Sequence, residues 1–328
     1  MTLRQTASSG AKAFVLACVL ACTLPASANA APDPQTTEAA HARFQARDQL
    51  LQDIGWRLVT GNARFCTPRP IIGLQLQDMA SYGDPAGVRQ ALGLVGDFAV
   101  QTAARGSPAE LAGLKANDEV LAIDGHLLAQ DAAETRLDWR RLAQAHERIS
   151  AVLAASGAVT LTMRDGSRPA LTGVAACPSR FELADKGKRA LADGSRVQIG
   201  IEFPGFAYPN DEFAAALAHE LAHNLLGHRA WLDTHGRSRA NVRLTEREAD
   251  RLMPWLLANA GFDPQAALRF MQRWGPKHSG GIFRKRTHEG WDERAELIAA
   301  EIEAISDLLE QGGMADWRQH FRREVAPQ

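Results

Sequence analysis

The segment His219-Glu-Leu-Ala-His223 constrains the fold of this chain more than any other. Two histidines four positions apart lie one turn apart on the same face of an α-helix, so on a helix both rings can meet one ion. Residues 211–228 fit such a helix. Glu220 is adjacent to the first histidine, where its carboxylate can take a proton from an attacking water molecule. We therefore predict a metal site here, with His219 and His223 as ligands and Glu220 as the base.

A catalytic zinc ion requires a third protein ligand and an open coordination position. The sequence Thr-Glu246-Arg-Glu248-Ala-Asp250-Arg-Leu predicts a second helix, on which Glu246 and Asp250 are four positions apart on one face. One carboxylate can bind zinc while the other accepts a proton-bearing nitrogen of a ligand histidine, and spacing alone leaves these roles interchangeable. Glu248 is predicted to be a solvated surface charge. Pro254 is predicted to kink this helix or end it early.

Three motifs of the carboxyl-terminal half carry a family resemblance: AHELAHNLLGH, EREADRL and THEGWDER. Together they resemble the CAAX prenyl protease/HtpX/Oma-like family of zinc metallopeptidases, over residues 180–310. The resemblance implies that Glu246 is the third zinc ligand and that Asp250 holds a ligand histidine. It also implies that His288 and Arg294 lie at the site, where His288 stabilises the oxyanion or occupies the open zinc position.

Further features of this region bear on the site. Ala190-Leu-Ala192, before the β-like run 197–201, resembles the small-residue strand of that family, which implies a strand that holds substrate backbone in extended form. Glu289 departs from the family, which has proline after the corresponding histidine. His228 is predicted to be structural, and a helix over 292–310 is predicted to pack behind the site. The remaining histidines are predicted to be surface residues: His41, His126, His146, His235, His278 and His320.

The block between Cys66 and Cys177 is β-rich. It contains β-like runs at Ile71–Leu76, Phe98–Thr102, Glu119–Ile123 and Val159–Met163. A long helix is predicted near Thr135–Leu153. Its segments SPAELAGL and DEVLAIDG resemble the PDZ domains of bacterial envelope proteases, which implies that Ile72-Gly73-Leu74 holds the carboxylate of a bound peptide. Asn117 stands where that family usually has glycine, and about 20 extra residues precede Phe98. A PDZ fold that serves only as a spacer or lid is the alternative.

Residues 1–30 have the pattern of a signal peptide, with a basic start, an apolar stretch and the cleavage site Ala28-Asn-Ala30. A lipid anchor at Cys22 is the alternative, because Val-Leu-Ala-Cys22 loosely resembles a lipoprotein processing site. Cleavage leaves Cys66 and Cys177, for which an oxidising compartment predicts one disulfide. We therefore predict a periplasmic or secreted protein.

Charge and hydropathy argue against two classes of partner. The formal net charge of −1 gives no indication of nucleic acid or of an anionic membrane surface. The part of the chain after the signal sequence has no apolar run of the length that a membrane span requires. We therefore predict no nucleic-acid partner and no membrane span.

The sequence thus predicts an α+β protein, with a mostly helical zincin-like metallopeptidase domain that has a small sheet, and a β-rich PDZ-like domain. The predicted order is signal peptide 1–30, leader and amphipathic helix 31–65, PDZ-like domain 66–177 and metallopeptidase domain 178–328. Residues 31–40 are predicted to be a mobile leader, and the helix that follows to pack on the catalytic domain. The predicted activity is peptide-bond hydrolysis in unfolded or misassembled envelope proteins, with one Zn²⁺ per chain and a PDZ-like domain that recruits or gates substrate. The alternative is a peptide-binding or chaperone-like envelope protein whose zinc site is silent or latched.

Overall fold

The computed structural model describes residues 34–131, 137–278 and 290–325, which combine α-helices with short β-strands. The helices are α1 (Pro34–Gly61), α2 (Pro85–Leu92), α3 (Pro108–Leu111), α4 (Arg140–Ser156), α5 (Asn210–Leu225), α6 (His228–His235), α7 (Arg239–Asn259), α8 (Gln265–His278), α9 (Trp291–Glu310) and α10 (Trp317–His320). The strands are β1 (Arg69–Ile71), β2 (Leu74–Asp78), β3 (Phe98–Ala103), β4 (Val120–Ile123), β5 (His126–Leu127), β6 (Ala158–Met163), β7 (Ala170–Thr172), β8 (Val174–Ala176), β9 (Arg180–Ala184), β10 (Ala190–Ala192) and β11 (Arg196–Gly200). The predicted α+β composition is confirmed.

The block between the two cysteines has its own apolar core beneath α4. Strand β2 pairs antiparallel with β3, and β4, β6 and β7 form successive antiparallel pairs. Helix α3 begins at Pro108, after Ser107, whose hydroxyl accepts a hydrogen bond from the Glu110 amide at 3.2 Å. Asn117 has a φ of +73°, a left-handed conformation that asparagine tolerates and glycine favours. The asparagine therefore preserves the backbone conformation that the usual glycine allows.

The region after Cys177 forms a second core. Strands β9 and β11 pair in parallel, and β10 pairs antiparallel with β11 at the edge of this small sheet. Helices α5, α7 and α9 bury Phe213, Trp255 and Ile298 in one apolar cluster. Leu51 and Leu58 of α1 belong to the same cluster, so α1 packs on the helices that carry the site.

The two ends of the PDZ-like block lie side by side. Cys66 and Cys177 form a disulfide with their Cα atoms 5.7 Å apart, and β1 pairs with β8 next to it. The predicted disulfide is confirmed, and it is consistent with an oxidising compartment outside the cytoplasm. Among the helices described, none is both long enough and apolar enough to cross a bilayer.

Several boundaries differ from those predicted. Helix α1 begins at Pro34, so residues 34–40 of the predicted leader are helical, because alanine, glutamate and glutamine sustain a helix without an apolar stripe. Helix α7 begins at Arg239 and continues through Pro254 to Asn259, so the predicted early end is wrong. Pro254 is buried among core residues, and this packing offsets one missing backbone hydrogen bond. The predicted signal peptide, with Cys22, lies outside the described residues.

Candidate metal centre

Helices α5 and α7 bring three predicted ligands to one point. The Nε2 atoms of His219 and His223 are 3.3 Å apart. Each lies 3.6 Å from an oxygen of the Glu246 carboxylate. These three side chains form a cluster that could hold a metal ion.

The spacing of the ligand atoms suits zinc. A tetrahedral Zn²⁺ ion with bonds of about 2.0–2.1 Å separates its ligands by about 3.3–3.4 Å. The observed separations lie close to that value: 3.3 Å between the two Nε2 atoms, 3.6 Å from His219 Nε2 to Oε2 of Glu246 and 3.6 Å from His223 Nε2 to Oε1 of Glu246. Two imidazoles and one carboxylate are also the ligand set of zinc peptidases, and they leave one coordination position open. The residues present therefore fit a catalytic rather than a structural zinc ion.

Asp250 and Arg294 hold the first ligand from behind. Asp250 Oδ1 lies 3.0 Å from His219 Nδ1, although the ring N–H is not aligned with that oxygen. The Asp250 carboxylate also accepts two hydrogen bonds from the guanidinium of Arg294, one of them at 2.7 Å. Arg294 on α9 thereby keeps the buried Asp250 ionised and oriented toward the ring.

His228 and Glu248 hold the second ligand, His223. Sequence reasoning missed this arrangement. His228 Nδ1 lies 2.9 Å from His223 Nδ1, and His228 Nε2 lies 3.0 Å from Glu248 Oε2. Glu248 is 0% exposed, so the prediction of a solvated surface charge is wrong. Arg323, near the end of the chain, covers this side of α7 and pairs with Glu248 at 3.1 Å.

Burial and neighbouring charges shift the pKa values of the ligands in different directions. Burial lowers the pKa of His219, but Asp250 and Glu246 outweigh it and raise that pKa to about 10. Burial lowers the pKa of His223 to about 3. Burial raises the pKa of Glu246, but the contact with His219 and the charge on His223 outweigh it, and the net pKa is lowered. A metal ion must therefore displace a proton from His219, which makes metal affinity depend on pH.

Glu220 has the electrostatic character of a general base. It lines the same cleft as His219 and His223. Burial raises the pKa of its carboxyl to about 7, an effect that His219 opposes and Glu246 reinforces. A base whose pKa lies near neutral pH can both take and return a proton.

A cleft of about 590 Å³ contains the three ligands and Glu220. Strand β10 lines this cleft and is the edge strand of its sheet, so within the described residues its outer edge pairs with no other strand. Such an edge can bind an extended peptide by backbone hydrogen bonds. Aromatic side chains also line the cleft, and two of them, Phe203 and Trp274, have ring centroids 5.6 Å apart. His288, which the resemblance places at the site, lies outside the described residues, as does the neighbouring Glu289.

The predicted peptide groove is closed by other parts of the chain. Ile72, Gly73 and Leu74 line a pocket of only about 120 Å³, together with Trp56 of α1 and Phe181 of β9. Ligand pockets usually exceed about 300 Å³, so an extended peptide does not fit here unless α1 or β9 moves.

His146 of α4 also lines this pocket and is half-buried, so the prediction of a surface histidine is wrong. Its Nε2 accepts a hydrogen bond from the Leu76 amide at 3.3 Å, and this amide belongs to the strand to which a bound peptide would be added. His41 and His126 are likewise half-buried, whereas His235 and His320 are exposed. The groove residues predicted from the resemblance are thus in place, but the groove is occupied from within the chain.

Comparison with known proteins identifies one part of the chain. Searches of curated proteins and of solved structures gave no match. Residues 100–154, from β3 into α4, match the family model of the PDZ domain. The chain therefore contains a PDZ domain, a fold that binds peptides or proteins.

Proposed function

We propose that this protein is a zinc-dependent endopeptidase of the cell envelope, related to the CAAX prenyl protease/HtpX/Oma-like metallopeptidases. One observation carries the proposal: the ligand atoms of His219, His223 and Glu246 have the spacing of a zinc site and share a cleft with the half-buried Glu220. The predicted export signal and the Cys66–Cys177 disulfide support a periplasmic or secreted location.

The residues of the cleft divide the work of hydrolysis. His219, His223 and Glu246 would hold a Zn²⁺ ion, which supplies Lewis-acid activation of water and of the peptide carbonyl. Glu220 takes a proton from the attacking water and returns it to the leaving amine. Strand β10 binds the substrate backbone in extended form, which favours unfolded chains over folded ones as substrates.

Replacing Glu220 by glutamine tests this function. Glu220→Gln keeps the three ligands, so we expect unchanged zinc content and a loss of about 10²- to 10⁴-fold in cleavage of casein. Glu212→Gln is the matched control, because Glu212 lies on the same helix, is buried and pairs with Arg273 outside the cleft. Chelation should abolish cleavage by the wild type. Cleavage that survives chelation, or a Glu220→Gln variant as fast as the wild type, would refute the proposal.

A peptide-binding protein with a silent zinc site is the second candidate, and the PDZ domain at residues 100–154 favours it. The two candidates separate in the Glu220→Gln background, where binding can be measured without cleavage. Peptides with a free carboxyl terminus should bind more tightly than their amidated forms if the PDZ groove recruits chain ends. Equal affinity for the two forms would exclude recruitment through the chain end.

A further inference from the structure

Helix α7 presents a third carboxylate, Glu248, to the metal centre from the opposite side. Glu248 and His228 are 0% and 1% exposed, respectively. His228 lies between Glu248 and the ligand His223, with contacts of 3.0 Å and 2.9 Å. One buried side chain, His228, thus connects the Glu248 carboxylate to Nδ1 of His223, the ring nitrogen that faces away from the other ligands.

The contacts leave one arrangement of protons that permits metal binding. A carboxylate only accepts hydrogen bonds, so Glu248 requires the proton of a neutral His228 to be on Nε2. The Nδ1 atom of His228 then has a lone pair and accepts a hydrogen bond from His223 Nδ1. His223 consequently has no proton on Nε2, the atom that lies 3.3 Å from His219 Nε2. That atom is free to bind a metal ion.

On the basis of the proposed zinc site, we infer that Glu248 and His228 are positioning residues that set the tautomer of His223 for metal binding. Asp250 has the corresponding role at His219, which it contacts directly, without an intervening histidine. Both ligand histidines are then held by carboxylates of α7, the helix that also supplies Glu246.

The carboxyl-terminal segment holds Glu248 in this orientation. Oε1 of Glu248 accepts hydrogen bonds from the backbone amides of Glu324 and Val325, the latter at 2.8 Å. Arg323 Nε lies 3.2 Å and 3.1 Å from the two carboxylate oxygens. The backbone donors around Oε1 require an oxygen at that position, so Oε2 is the atom that remains for His228.

A single isosteric substitution can reverse the order of protons along the Glu248–His228–His223 hydrogen bonds, which we call the relay. In Glu248→Gln the amide oxygen should stay at the Oε1 position, because the backbone donors there need an acceptor. The amide NH₂ then faces His228 Nε2 and donates to it, which moves the His228 proton to Nδ1. His223 must then accept through Nδ1 and keep its proton on Nε2. We expect zinc affinity to fall about 10- to 100-fold, the usual effect of losing a group that orients a ligand.

The test measures zinc affinity by competition with a chromogenic chelator and the tautomer of His223 by long-range ¹H–¹⁵N NMR. Glu301→Gln is the matched control, because Glu301 is also largely buried and accepts hydrogen bonds from Arg251 and Trp255 of α7, without a histidine partner. It should keep wild-type affinity. The double variant Glu248→Gln/His228→Asn should bind zinc more tightly than Glu248→Gln alone. The asparagine carbonyl can accept a hydrogen bond from His223 Nδ1, whichever residue is at position 248.

The outcomes separate this inference from the proposed function. Wild-type affinity in a folded Glu248→Gln variant, or additive effects of the two substitutions, would overturn the relay while leaving the zinc peptidase intact. A wild-type protein that binds no zinc would refute both. Circular dichroism of each variant without metal controls for loss of fold, so that weaker binding reports the site itself.

Discussion

Gly55 lies in the interior of α1, where glycine normally weakens a helix, and we predict that replacing it by alanine destabilises the protein. A Cβ atom at Gly55 would lie 2.4 Å from Cδ2 and 2.7 Å from Cγ of the Phe181 ring. Phe181 is 3% exposed in the core shared by α1 and β9, so its ring must shift against its neighbours to admit the added carbon. The glycine therefore permits the close contact between α1 and the strand that follows the PDZ block.

Two opposing magnitudes decide the sign. Glycine to alanine in a helix interior stabilises by about 1 kcal/mol. Overpacking of a filled core costs about 1–3 kcal/mol. We therefore expect Gly55→Ala to lower the free energy of unfolding by about 1 kcal/mol. In a Phe181→Ala background the obstacle is gone, and the same substitution should raise the free energy of unfolding by about 1 kcal/mol.

Urea unfolding followed by tryptophan fluorescence measures both steps of this double-mutant cycle. The cycle is informative because the two residues are in contact and the clash exists only where Gly55→Ala meets an intact Phe181 ring. Stabilisation by Gly55→Ala in the wild-type background, or the same sign in both backgrounds, would refute the packing argument.

Three other predictions concern the junction of the two regions. Replacing Cys66 and Cys177 by alanine should lower the free energy of unfolding in urea by roughly 4–5 kcal/mol, because the disulfide closes a loop with a sequence separation of 111 residues. A decrease of less than about 1 kcal/mol would contradict this. Trp56→Ala should tighten binding of a peptide with a free carboxyl terminus about tenfold in fluorescence anisotropy, since it removes a side chain that lines the closed groove; unchanged affinity would argue against closure by α1. Burial raises the pKa of Asp48 to about 6, so protonation of Asp48 stabilises the folded state. The resulting stability is complete below about pH 4 and is lost as pH rises through about 6, and Asp48→Asn should remove this part of the pH dependence of urea unfolding.

Local patterns predicted much of the fold and part of the candidate site. The spacing of His219 and His223 favours a helix, because positions four apart are one turn apart on a helix but about 13 Å apart along a strand. The disulfide followed from a pair of cysteines in a chain with a predicted export signal. The proximity of Glu246 to both histidines depends on how α7 packs on α5, and spacing alone left its role interchangeable with that of Asp250.

Contacts between distant segments were beyond the reach of local patterns. Glu248 is about 200° around the helix from Glu246, so helical periodicity placed it in solvent. Its hydrogen bond with Arg323 spans 75 residues, and nothing in the local sequence signals it. The closed groove was missed for the same reason, because it depends on the docking of Trp56 and Phe181 against the PDZ-like block.

The disulfide at the base of the PDZ-like block has a mechanical consequence. Cys66 and Cys177 join the two strands by which the block connects to the rest of the chain. Tension applied to a residue between them therefore passes through a covalent bond at the base and does not pull β1 away from β8. A bound peptide that pulls on the block would load the two anchoring segments together, and the block would stay joined at its base even if its own sheet were pulled open.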